Sequence, residues 1–371
     1  MNGIPVVAPF SGGYSPENAV VILCIGNVVI TPPLRAALDE QGYGYLMGDY
    51  VFMGTRCPFD RTRAVAPDFC IRSMACRYIY CPRLGSISKS RLCATKTIGH
   101  DPLFLNSITL VINSVCSLKC KYCTSYMTAY PAAMRRNVPL ERILDDLDRV
   151  FAAVDGIGSV SIMGGEPFLH RDLAAIAVAV LAKENCTGLI SIATSGIANI
   201  KEQQLRGLSD RRLNVSFGNY LGALDSRASR LWHDNVKLVQ ERGVPYTVGI
   251  DMPQWIVPST LYDRELSVEV RAMKKSQCPS PPRMLHLKSG KIHPCDLANA
   301  VYSIGIADYP GDYVDVAHSP SPEALRERLR EFMDAPYYHT CGHCACTGEV
   351  AGRGAEQGVL DFLTAPPRPG G

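Results

Sequence analysis

The sequence predicts an α/β protein whose centre is a partial (β/α)6, TIM-like barrel, flanked by a small N-terminal α/β unit and a C-terminal metal-binding extension. Three observations carry that expectation. Apolar runs alternate with helical stretches from Leu105 to about Val270, the pattern of parallel β/α units. A C-x3-C-x2-C loop, formed by Cys116, Cys120 and Cys123, follows directly on the apolar run 107–113. A turn of Gly164, Gly165, Glu166 and Pro167 closes the next apolar run, 159–163, before a helical stretch begins near His170.

Composition narrows the class. The chain has 371 residues, 47% of them hydrophobic, enough for two or three domains. A net charge of +3 gives no electrostatic case for nucleic acid or an acidic surface. Fifteen cysteines is a high count. The first basic residue is Arg35, so no charged segment opens a signal peptide. The apolar run 19–30 is too short to span a bilayer and is interrupted by Gly26 and Asn27. A cysteine-rich chain without an export signal is expected to be a cytoplasmic metalloprotein, with neither membrane nor nucleic acid as a partner.

Residues 1–103 are expected to form the N-terminal unit. A strand is predicted over 20–30, a helix opened by Pro32 and Pro33, and a second strand over 44–53. No G-x-G-x-x-G accompanies them, so no nucleotide is assigned. Cys57, Cys70, Cys76, Cys81 and Cys93 follow at spacings that match no standard iron–sulfur or zinc pattern, and they are read as small buried hydrophobes.

The core is expected over 104–272. Its strands are predicted at 108–113, 160–164, 189–194, 213–218 and 246–252, and its helices at 140–154, 171–183, 201–207 and 227–243. Binding groups of parallel β/α folds gather at the carboxyl ends of the strands. That rule places Thr194 and Ser195, residues 216–219 and residues 249–251 around one site. The hydroxyls of Thr194, Ser195 and Ser216 equally suit turns or caps.

Three cysteine ligands on a cubane of four irons leave one iron open. The competing zinc site normally shows a second ligand pair at close spacing, and the nearest downstream cysteine here is Cys186. The triad, with the aromatic Tyr122 before its third cysteine and the G-G-E-P turn some forty residues on, resembles the radical S-adenosylmethionine (radical SAM) enzymes. That resemblance implies a [4Fe–4S] cluster at Cys116, Cys120 and Cys123 whose open iron chelates SAM. It implies SAM contacts from Tyr122, Gly164, Gly165, Glu166 and Pro167, and from Thr194, Ser195 and Ser216.

A third block, Cys278-x16-Cys295 with Gly290 between and then Cys341-Gly-His-Cys344-Ala-Cys346, resembles the twitch and SPASM auxiliary-cluster domains appended to many radical SAM enzymes. Only five cysteines lie after residue 270, a count that favours one auxiliary [4Fe–4S] cluster over two. Cys278, Cys295, Cys341 and Cys344 are its expected ligands, within a domain over 273–363; a zinc ribbon is the alternative. Residues 287–293 are expected to form a β-hairpin with Gly290 in its turn, and the Pro/Gly tail 364–371 is expected to be disordered.

By resemblance the chemistry is cleavage of SAM to a 5′-deoxyadenosyl radical, which takes hydrogen from an unactivated C–H. The electron comes from a donor such as flavodoxin or ferredoxin. The segment 344–357, with residues 165–170, resembles a branch associated with carbohydrate and antibiotic biosynthesis. The expected substrate is therefore a hydroxylated small molecule of sugar, aminoglycoside or cyclitol type, oxidised, epimerised or dehydrated. Epimerisation needs a hydrogen donor; Cys346 is the candidate, while Cys186 falls before the third strand and is read as core. The alternatives are a maturase acting on a ribosomally made peptide and a non-catalytic iron–sulfur or zinc scaffold.

Overall fold

The computed structural model describes residues 20–23, 37, 40–41, 44–47, 103–105, 107–186, 189–210, 212–249, 255–278, 284–345 and 350–363. The cysteines at 57, 70, 76, 81 and 93, Cys346 and the tail 364–371 lie outside them. In the N-terminal region, β1 (Val20–Leu23) and β2 (Gly44–Met47) pair in parallel, with Val20 opposite Gly44, as the β-α-β pattern there requires.

From residue 103 the chain alternates. A short β3 (Phe104–Leu105) precedes β4 (Ile108–Val111) and helix α1 (Leu140–Ala153). The short β5 (Gly156–Ile157), which pairs with β3, is followed by β6 (Val160–Met163) and α2 (Leu173–Leu181). Next come β7 (Ile190–Thr194), β8 (Leu213–Phe217), α3 (Ser226–Glu241) and β9 (Tyr246–Val248). These match the predicted elements within a few residues. The exception is 201–207, where only a 3₁₀ turn, Glu202–Leu205, forms before Gly207 at φ +78°.

The C-terminal part adds β10 (Trp255–Ile256), α4 (Val268–Gln277), β11 (Leu285–Lys288), β12 (Lys291–His293), α5 (Asp296–Ile304), β13 (Val314–Asp315), α6 (Pro322–Asp334) and β14 (Val350–Ala351). The main sheet has eight strands in the order β13-β12-β11-β4-β6-β7-β8-β9. From β11 to β9 every neighbouring pair is parallel. The fold is thus the expected α/β architecture with a mostly parallel sheet, and the barrel is not closed. A sixth parallel strand is supplied by β11, the first strand of the hairpin predicted around Gly290, which lies beside β4 with Leu285 opposite Ile108. Trp255 and Ile256 pair instead with Ala351 and Val350.

Period-2 patterning gives this sheet two different faces. Ile108, Leu110, Val160, Ile162, Ile190, Ile192, Leu213, Val215, Leu285 and Leu287 are all buried in the core shared with the helices. The opposite face carries a polar row: Thr109, Ser161, Ser191 and Asn214 stand side by side in register across four strands, with His286 beside Thr109. The next row toward the carboxyl ends is mixed, with Val111, Met163 and Ala193 followed by Ser216 and Thr247.

One buried carboxylate ties a helix to the hairpin. Asp146, on α1 among the apolar residues Ile143, Leu147 and Val150, accepts from the Gly290 N–H at 2.7 Å and from the Arg142 guanidinium. Burial drives its carboxyl up while those two partners pull it down. The turn it holds has Ser289 at φ +47° and Gly290 at φ +81°, the two positive values of a tight two-residue hairpin. Removing the acceptor strands the buried Gly290 N–H, while the Arg142 guanidinium keeps its second carboxylate partner, Asp145. Asp146→Ala is therefore expected to lower stability by about 1–3 kcal/mol in urea denaturation, and Asp146→Asn, which keeps an acceptor for Gly290, by less.

Candidate metal and cofactor centre

The cysteine loop leaves the carboxyl end of β4 and is fastened at once to the end of β6. The Asn113 side chain accepts from the Gly165 N–H at 2.9 Å and donates to the Glu166 carbonyl at 2.9 Å. The Glu166 N–H reaches the Val115 carbonyl at 2.8 Å. This contact explains the two glycines. A Cβ on Gly164 would lie 2.5 Å from the Asn113 Oδ1, and one on Gly165 would lie 2.2 Å from the Val115 oxygen and 3.0 Å from the Cys116 Cβ. Close approach is what they provide, and the chain they admit is the cysteine loop itself.

Cys116, Cys120 and Cys123 stand within electrostatic reach of one another. Burial, then proximity to the other thiols, pushes Cys120 up to about 12. Burial takes Cys116 to about 11, with Glu166 and Cys123 adding to the rise. Cys123 is raised by burial as well. Among the described residues, no three His, Cys, Asp or Glu side chains are gathered tightly enough to hold one metal ion. A cubane takes one thiolate per iron, so its ligands stand further apart than those of a single ion. Three half-buried thiols on one loop, close enough to interact, fit that donor set, and binding would release their protons.

Glu166 joins a third strand end to this pair. It is wholly buried, and its carboxylate accepts from the Thr194 hydroxyl (2.7 Å), the Ser195 N–H (2.9 Å), the Ser195 hydroxyl (2.6 Å) and the Phe168 N–H (3.2 Å). Burial raises its carboxyl and those four hydrogen bonds oppose the rise. A carboxylate offers about four lone-pair sites, and all are filled from within the chain. Glu166, Thr194 and Ser195, expected around one ligand, are thus brought into direct contact, with Glu166 as the clamp. Pro167 opens the 3₁₀ turn that follows it. Ser216 lies on the polar face of β8, and Tyr122 packs against Gly352, whose Cβ would meet its ring at 2.2 Å.

Helix α3 braces the next loops. Asn235 donates to the Gly196 and Ala198 carbonyls at 2.8 and 2.7 Å, and the Trp232 indole donates to the Gly218 carbonyl at 3.0 Å. Beyond β8, Tyr220 faces the site: burial pushes its phenol up to about 12, with Cys120, Cys123, Glu166 and Cys116 adding to the shift. The expected loop 216–219 stops one residue short of it. Asn113 was legible only as the last residue of a strand.

The second cysteine group also converges. Cys278 ends α4, Cys295 caps the start of α5, and Cys341 sits in a 3₁₀ turn, His339–Gly342, with Cys344 just beyond. Burial raises Cys295, and Cys341 and Cys278 raise it further. Cys341 rises to about 11 through burial, Asp312, Cys344 and Cys278. Buried Asp312 holds this turn by accepting from the His339 N–H (2.7 Å), the Thr340 N–H (2.6 Å) and the Thr340 hydroxyl. The Ser259 hydroxyl lies 3.7 Å from the Cys344 sulfur.

Tyr126 lies between the two groups. Burial raises its phenol, and Cys295, Asp296 and Cys344 on one side and Cys123 on the other add to the effect. Its neighbourhood is an apolar cluster with Met127, Tyr130, Leu261, Leu297 and Phe362, against which Cys116, Cys123, Cys295 and Cys344 all pack. Lys288, at the carboxyl end of β11, reaches into this zone, donating to the Tyr130 hydroxyl at 3.0 Å and the Ser303 hydroxyl at 3.3 Å. Burial, then Arg136, brings its ammonium down to about 8, with Asp296 opposing.

Residues 110–220 match the sequence profile of the Radical SAM superfamily. That span holds the cysteine triad, the G-G-E-P turn, Thr194, Ser195 and Ser216. Over 176 residues the chain is 28% identical to GTP 3′,8-cyclase 3 of Mycobacterium bovis, a match covering 44% of this chain and 42% of that protein. GTP 3′,8-cyclase 3 of Mycobacterium tuberculosis matches with the same figures. The match therefore spans about two-fifths of the relatives' own length. Similar solved structures include native anSMEcpe with bound AdoMet, at TM-score 0.41 and 13% identity over 61% of this chain and 82% of that one. BtrN in complex with AdoMet and 2-DOIA aligns at TM-score 0.39 and 15% identity, over 67% of this chain and 100% of that one. Streptococcus suis SuiB bound to S-adenosylmethionine aligns at TM-score 0.37 and 14% identity, over 69% and 70%.

Two outcomes follow from the contacts at this centre. Gly165→Ala should force the cysteine loop off the end of β6, with most iron uptake lost on reconstitution and stability reduced by about 1–3 kcal/mol; uptake equal to wild type would show that the loop tolerates the displacement. Lys288 titrates below its ordinary 10.5, at about 8. Between those values the unfolded chain binds more protons than the folded one, so the cost of burying this ammonium is relieved as pH rises. Wild type should accordingly gain stability relative to Lys288→Met from about pH 8 to 10.5, read as the difference in denaturation midpoints, and parallel pH curves would contradict it.

Proposed function

We propose that the chain is a radical SAM enzyme acting on a hydroxylated small molecule of sugar, aminoglycoside or cyclitol type. The observation that carries this is the convergence at the carboxyl ends of β4, β6 and β7. A loop with three interacting thiols is locked to a Gly-Gly-Glu-Pro turn, and that turn is clamped through Glu166 to Thr194 and Ser195. When bound, a [4Fe–4S] cluster at Cys116, Cys120 and Cys123 supplies the electron that breaks a carbon–sulfur bond of SAM, giving the radical that removes a substrate hydrogen atom.

The remaining work belongs to the chain. Asn113 and the close-packed glycines fix the cysteine loop against β6, so the three sulfurs are presented from one rigid edge. Glu166 holds the ends of β6 and β7 in one arrangement, which keeps the Thr194 and Ser195 backbone at the rim. The polar side chains below, those of Ser161, Ser191, Asn214, Ser216 and Thr247, offer hydroxyl and amide groups to a substrate that carries hydroxyls. Cys278, Cys295, Cys341 and Cys344 suit an auxiliary [4Fe–4S] cluster, and a second redox site fits net oxidation of the substrate better than epimerisation. Flavodoxin or ferredoxin suits the role of electron donor. Among the described residues no helix is long and apolar enough to cross a membrane.

Anaerobic reconstitution with iron and sulfide tests this reading. Wild type is expected to take up about eight irons per chain and the triple variant Cys116→Ala/Cys120→Ala/Cys123→Ala about four, with the SAM-responsive EPR signal lost. About four irons in wild type, all lost in the variant, would remove the auxiliary cluster and the oxidation with it.

A further inference from the structure

The segment 350–362 returns to the cysteine triad and covers the outer side of its loop. β14 anchors one end of the segment on β10, and the Phe362 carbonyl accepts from the Leu261 N–H at 2.6 Å near the other. Between them, residues 356–358 bond to the triad loop. The Lys121 N–H donates to the Glu356 carbonyl at 2.7 Å, and the Gly358 N–H donates to the Lys119 carbonyl at 2.9 Å. Gln357 then uses both ends of its amide. Its Oε1 accepts from the Lys119 N–H at 2.8 Å, while its Nε2 donates to the Ala355 carbonyl at 2.6 Å and stands 3.9 Å from the Cys120 sulfur. Ala355 is fully buried at φ +59°, a left-handed conformation that a non-glycine residue keeps only where its surroundings hold it. The turn it makes aims the Gln357 side chain back at the loop.

We infer that Gln357 is a positioning residue for the cluster at the triad: its amide N–H donates to the Cys120 sulfur, orients that ligand and raises the cluster's reduction potential. The inference rests on the triad binding a cluster as proposed above. Hydrogen bonds to a ligating sulfur withdraw electron density from it and favour the reduced state, and groups behind the ligands tune metal sites in this way. Gln357 is anchored at both ends of its amide, so its donor is directed before any cluster arrives. Cys120 and Gln357 are 237 positions apart in sequence.

The test is an EPR-monitored redox titration of the full chain, reconstituted anaerobically, following the signal that responds to SAM. Gln357→Leu removes the donor without adding charge and should lower the reduction equilibrium constant about threefold or more, roughly 30 mV for one electron, at wild-type iron content. Gln357→Glu keeps the acceptor for Lys119 and should lower it further. A midpoint that moves in the Glu variant but not in the Leu variant would assign the effect to charge and overturn the inference. Should the Leu variant fail to retain iron, wild type carrying ¹⁵N-labelled glutamine side chains decides the matter. Pulsed EPR should show an amide nitrogen coupled to the reduced cluster, and no coupling would overturn the inference. Failure of the underlying reading looks different: wild type itself would then show no SAM-responsive signal.

Discussion

Everything at this site depends on how closely two neighbouring strand ends approach. β4 and β6 are ordinary parallel partners, but beyond their last ladder bonds the chain is held by Asn113, which both donates to and accepts from the Gly165–Glu166 backbone. Side chains at positions 164 and 165 would collide with that arrangement. The cysteines therefore do not sit on a free loop. They sit on a segment whose first turn is part of the sheet's edge, and Glu166 extends the same rigidity to β7. A cofactor that must be held within tenths of an ångström of a substrate carbon needs such a base.

The same economy of parts governs the second cysteine group. Cys295 caps α5 just after β12, so the place of that thiol is set by the hairpin. Cys341 and Cys344 are set by Asp312, whose carboxylate closes the turn before them. Both groups then press on one apolar cluster around Tyr126. The two sites share a wall, and the wall is built from residues just after the first cysteine loop and from the chain's last described turn.

Much of the fold was legible because the parallel sheet buries one face completely. Ile108, Leu110, Ile190, Ile192, Leu213 and Val215 alternate with polar residues, and that alternation sets both strand and register. The cysteine triad and the G-G-E-P turn were legible because ligand chemistry restricts both residue type and spacing. The partner of β4 was not, because no local pattern in residues 285–288 separates a strand pairing within its own hairpin from one that also joins a distant sheet. Nor was the filled carboxylate of Glu166, whose partners Thr194 and Ser195 are set by tertiary register. Gln357 carries no periodicity and no spacing rule; only the path of the chain puts it beside Cys120.

The placement of β11 bears on the order in which the molecule can form. β4 is enclosed by β6, which follows it after one helix, and by β11, which arrives only near residue 285. During synthesis the strand carrying the cysteine loop must wait, with one edge open, while the intervening core is made. Such long-range parallel pairing is slow, because loop closure must be met before any contact rewards it. An unpaired edge of that kind invites association with other chains. A loop whose strand is still half paired lacks its rigid base, so the arrangement of the three thiols is completed only after the C-terminal third has docked.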